Sequence, residues 1–134
     1  MAQRGRRSSA SLEVVKSNVV SIERPDAPDE LTTEQAEEWQ SVVGRMPADW
    51  FPGETHGLLV QYCRHRAAAR HIAQLIDAAE EAESLDVEGL DRLYKMQERE
   101  GRALSSLATR MRITQQATYD KSRKKPTQVK KPWD

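Results

Sequence analysis

Residues 57–83 read GLLVQYCRHRAAARHIAQLIDAAEEAE, 84–89 read SLDVEG, and 90–113 read LDRLYKMQEREGRALSSLATRMRI. The first run places Leu58, Tyr62, His65, Ala69, Ile72, Ile76 and Ala79 in a row whose steps alternate four and three. The third run does the same with Leu90, Tyr94, Gln97, Gly101, Leu104, Ala108 and Met111. Such steps keep side chains on one side of a helix. Two long helices are therefore expected between Glu54 and Ile113, folded back on each other near Leu85. In that register Leu58 faces Met111, Ile76 faces Tyr94, and the small residues Ala69 and Gly101 mark the closest approach.

Working outward, Leu59, Cys63 and Leu75 on one arm, and Leu93, Met96 and Leu107 on the other, fall outside the paired rows. With Trp39 they form the expected core and oligomer surface. A rod of two helices buries little area, so other copies of the chain are expected to cover what remains.

Upstream, Thr32 followed three residues later by Gln35 has the pattern of a capping box, with Leu31 ahead of it. The helix it opens carries Trp39, Val42, Val43 and Met46 on one face and ends at Pro47. The loop PADWFPG brings Trp50 and Phe51 between two prolines, and these aromatics are expected to plug one end of the hairpin. Downstream, Thr114 is placed to cap a short basic helix. The fold class is all-α: a short N-terminal helix, a long antiparallel hairpin and a short C-terminal basic helix. Residues 1–30 are expected to be a disordered basic arm, 31–120 the helical core and oligomerisation domain, and 121–134 a basic tail.

The net charge of the 134 residues is zero, but it is unevenly spread. Residues 29–120 hold ten basic and seventeen acidic residues, a balance of −7, whereas 121–134 hold six and one, a balance of +5. Contact with a polyanion is therefore expected at the ends. The expected DNA-binding residues are Lys121, Arg123, Lys124, Lys125, Lys130 and Lys131. Secondary candidates are Arg64, Arg66, Arg70, Arg110 and Arg112; for the first three, pairing with Glu98 or Glu100 on the other arm is the favoured alternative.

No catalytic residue is expected, because no phosphate-binding glycine loop, nucleophile elbow or paired cysteine motif occurs. No metal and no cofactor is expected, since Cys63, His65 and His71 lack a converging spacing. The single cysteine forbids an internal disulfide and fits a reducing compartment. Residues 1–15 have no long apolar core, so neither a signal peptide nor a membrane contact is expected.

Three stretches together resemble a known family: LTTEQAEEWQSVV (31–43), GLLVQYCRHRAAA (57–69) and LYKMQEREGRALSSLATRMRIT (93–114). Their order and pattern are similar to the small subunit of the terminase of tailed double-stranded-DNA phages. The resemblance implies a non-enzymatic, all-helical homo-oligomer that forms a ring in the host bacterial cytoplasm. It implies recognition of the packaging start site on double-stranded viral DNA. It also implies a partner, the terminase large subunit, which holds the ATPase and nuclease. Two other readings stay open at this point: a small helix-turn-helix regulator built on 107–125, and a helical structural adaptor that binds no DNA.

Overall fold

A computed structural model describes residues 22–115. The described residues form three α-helices: α1 (Thr33–Arg45), α2 (His56–Glu81) and α3 (Val87–Arg110), with a 3-10 turn at Gly53–Thr55 leading into α2. No strand occurs among them.

Each boundary has a local cause. Thr32 caps α1, its hydroxyl accepting from the Gln35 amide while the Gln35 side chain accepts from the Thr32 amide. Two otherwise orphaned donors are thereby satisfied. Met46 leaves the helix in extended conformation, as a residue before proline must. The freed carbonyls at this end are taken by Arg24, whose guanidinium donates to Val43 O and Met46 O, each at 3.3 Å. A cation there also meets the negative end of the helix dipole.

Asp86 caps α3 by accepting from the Gly89 amide at 3.0 Å. A Cβ on residue 89 would stand 2.3 Å from Asp86 Oδ2, so glycine lets the carboxylate close over the helix end. At the other end, Arg112 donates to Thr109 O and Ile113 to Ala108 O, with Arg112 at φ 56°. That is the Schellman arrangement, with arginine in the left-handed position that usually falls to glycine.

α2 is the central element, packed against α1 on one side and α3 on another. Its 26 residues make it about 39 Å long, and the 13 residues of α1 reach about 20 Å. α1 thus covers only about half of α2. The core follows from this: Trp39, Val42, Val43, Phe51, Leu59, Val60, Cys63, Leu107 and Met111 form one cluster at the end of α2 nearest its N-terminus. Trp39 is 1% exposed and Leu59 0%. The Trp39 indole donates to Pro25 O at 3.0 Å and stands edge-on to the His56 ring. The Trp50 indole donates to Met111 O at 3.0 Å, tying the loop to the end of α3.

Three differences from the sequence expectation have physical reasons. Packing begins before residue 31, because Arg24, Pro25 and Ala27 lie against α1 and its core. The indole N–H of a buried Trp39 needs an acceptor, and Pro25 supplies it.

The inner face of α3 is also rotated by about one residue. Gly101, Gln97 and Tyr94 are exposed, while Glu100 and Leu104 are half-buried and Leu107 and Met111 buried. Gly101 therefore does not mark a closest approach; nothing lies within 4 Å of where its Cβ would stand. The row ending Leu104–Leu107–Met111 wins because it removes more apolar surface from water than one interrupted by Gln97 and Gly101.

Finally, Leu59, Cys63 and Leu107 are not free for a neighbouring copy, because they lie in the core cluster with the apolar face of α1. Leu93 is half-buried; Leu75 and Met96 remain exposed, at 55% and 42%.

Candidate functional site

Lys121, Arg123, Lys124, Lys125, Lys130 and Lys131 lie outside the described residues, as does the expected basic helix beyond Gln115. The secondary candidates are all described, and they divide into two groups.

Arg64, Arg66 and Arg70 lie on α2 where it faces α1, and each meets a carboxylate. Arg64 Nη2 is 3.4 Å from Glu30 Oε2, and Arg66 Nε is 3.6 Å from Glu38 Oε2. Arg70 bridges two acids, with Nη1 2.6 Å from Glu34 Oε1 and Nη2 on Glu38 Oε1. His71 Nε2 adds a contact of 2.9 Å to Glu34 Oε2. The hydrogen bond from Arg70 is the main reason the Glu34 carboxyl is held below its ordinary value of 4.5. The same pair raises Arg70.

These arginines are therefore engaged in holding α1 to α2. Pairing was expected with Glu98 or Glu100 on α3; the partners are instead on α1 and just ahead of it. The signal was present in the spacing. Glu34 and Glu38 are four apart, as are Arg66 and Arg70, so each helix presents a matched pair on one face. Only His65 reaches α3, with Nδ1 2.5 Å from Glu100 Oε2.

Arg110 and Arg112 form the other group. Both are exposed at the C-terminal end of α3, and neither guanidinium has a carboxylate or carbonyl partner among the described residues.

Cys63 is fully buried, and burial, with Glu38 nearby, pushes its thiol up to about 12. It packs as a small apolar group and has no thiolate to offer as nucleophile or ligand. Among the described residues no cluster of three or more His, Cys, Asp or Glu is placed to hold a metal ion. No helix among them is long and apolar enough to cross a membrane.

The half of the α2–α3 pair beyond the reach of α1 is different in character. Leu75, Leu85, Val87, Tyr94 and Met96 are all exposed there. Two cross-helix contacts fix the geometry: His65 with Glu100, and Tyr94 donating to Glu80. The helices run in opposite directions, and Leu75 stands level with Met96. By helical phase both lie on the His65–Glu100 flank, away from Tyr94. Residues 77–91, which include the turn, hold seven acidic side chains and no basic one.

Comparison with family models, with curated proteins and with solved structures finds no match for this chain.

Proposed function

We propose that this chain is a DNA-packaging adaptor of the terminase small-subunit kind. It assembles into a ring in the host bacterial cytoplasm and binds double-stranded viral DNA at the packaging start site. It presents that DNA to a large subunit carrying the ATPase and nuclease. The resemblance of 31–43, 57–69 and 93–114 supports the family, and these stretches correspond to α1, the first half of α2 and most of α3.

The observation that carries the assembly half of the proposal is the uncovered strip at Leu75 and Met96. Exposed large aliphatic side chains at the same height on adjacent helices suit burial by another subunit. The DNA-binding half is supported by charge: 121–134 hold six basic residues against one acidic, next to a body of opposite sign.

Fluorescence anisotropy on a labelled duplex tests the DNA-binding half. The full chain is expected to bind with an affinity that falls steeply with salt, because bound cations displace condensed counterions. A chain ending at Asp120 should lose most of that affinity while keeping the same assembly mass. Undiminished binding by the shortened chain removes the tail from the interface. No binding by the full chain overturns the proposed function in favour of a structural adaptor.

A further inference from the structure

Among the described residues, the cationic side chains divide sharply by location. Arg24 and Arg45 donate to backbone carbonyls. Arg64, Arg66 and Arg70 pair with Glu30, Glu34 and Glu38. Lys95 pairs with Asp91 at 2.7 Å, and Arg102 with Glu98. The remaining arginines, Arg92, Arg99, Arg110 and Arg112, are exposed and unpaired, and all lie on α3 or its C-terminal cap.

Their spacing is not scattered. Arg92 and Arg99 are seven residues apart, and Arg99 and Arg110 eleven. Seven residues are just under two helical turns and eleven just over three, so the small offsets cancel and the three arginines form one line. That line is about 27 Å long at 1.5 Å per residue. Ser106 lies beside it, and Arg112 stands just past its end. Beyond Arg112 the chain enters its most basic stretch, which starts at Lys121.

Arg112 adds a separate observation. It holds a left-handed backbone at φ 56°, where glycine sits without steric cost and other residues do not. The backbone conformation serves the Schellman cap, while the guanidinium has no partner within the fold, and an arginine kept where glycine would sit without cost points to a use for that side chain outside it.

We propose that the Arg92–Arg99–Arg110 line, ending at Arg112, is a phosphate-binding face for duplex DNA. It extends the basic tail's contact onto the folded domain. This rests on the DNA-binding function proposed above and assigns it a place on α3. Unpaired guanidiniums need no internal ion pair broken before they meet phosphate. Their fork of donors matches phosphate oxygens. They touch the backbone and not base edges, so they position DNA without reading its sequence.

The test uses the full chain with its tail intact, binding a short random-sequence duplex across a salt series. One variant carries Arg92→Gln, Arg99→Gln and Arg110→Gln; its control carries Arg→Lys at the same positions. The glutamine variant should lower the slope of log affinity against log salt by about one per arginine. Its affinity should fall on the order of a hundredfold at physiological salt. The lysine control should keep most of both. Arg112→Gly should raise the melting temperature and yet weaken binding, a combination that misfolding cannot produce.

A glutamine variant that binds with the wild-type affinity and slope overturns the arginine face and leaves the proposed function standing. A wild-type chain that binds no DNA overturns both. If the glutamine variant instead loses its assembly mass, the arginines meet the acidic 77–91 turn of a second copy, and the DNA face is refuted.

Discussion

Gly101 stands in the interior of α3, exposed, with open space where a Cβ would be. Glycine in such a position forfeits helix propensity without any packing return. Gly101→Ala is therefore expected to stabilise the fold by about 0.5–1 kcal/mol, read from the urea midpoint. A loss of stability would mean that a close contact at 101 exists after all. Gly89 is the opposite case, because a side chain there collides with the Asp86 cap. The sequence reading separated these two glycines the wrong way round. It put Gly89 in the break between the arms and Gly101 at the closest approach; the structure reverses their importance, because Gly89 lies under the Asp86 cap and Gly101 faces open space. The Thr32–Gln35 box and the apolar face of α1 at Trp39, Val42 and Val43 were legible, since each shows in the spacing of residues within one helix. Arg24 was not, because its acceptors are carbonyls nineteen and twenty-two residues away.

At the scale of elements, α1 is a clamp. Its apolar face closes the core, and Glu34 and Glu38 grip Arg66 and Arg70 on α2. Since the fold holds the Glu34 carboxyl below 4.5, the ionised form is favoured when folded. The sign follows: this contribution is complete above the unfolded value. It is lost as the pH falls from about 4.5 through the lowered folded value. Thermal melts on either side of that window should show wild type losing more stability on acidification than Glu34→Gln. Identical pH dependence in the two would contradict the clamp. The existence and type of all three helices could be read from periodicity, but the phase of α3 could not. Two rows one residue apart both carry leucines, and the choice depends on what Phe51, Trp50 and α1 cover at that end. A pairing scheme built on two helices alone has no means of including the third.

At the scale of the molecule, the length mismatch between α1 and the α2–α3 pair produces two unlike halves. One is closed by Trp39, Phe51, Leu59 and Met111. The other leaves Leu75 and Met96 open beside an acidic turn. Leu59, Cys63 and Leu107, expected from the sequence to be part of an outer face, fill the first half. Leu75 and Met96 alone carry the argument for a neighbour in the second. The proposed DNA contact adjoins that strip on α3, where Arg92 and Arg99 stand one turn either side of Met96, and runs on to Arg110 and the basic stretch that follows. On the reading proposed above, a neighbouring copy covers that open half, and the central claim is that the chain assembles through Leu75 and Met96. Native mass spectrometry of the full chain reads this assembly. One closed assembly of several copies is expected, which Leu75→Glu with Met96→Glu breaks into smaller species. A wild-type chain that remains a monomer at micromolar concentration would contradict it.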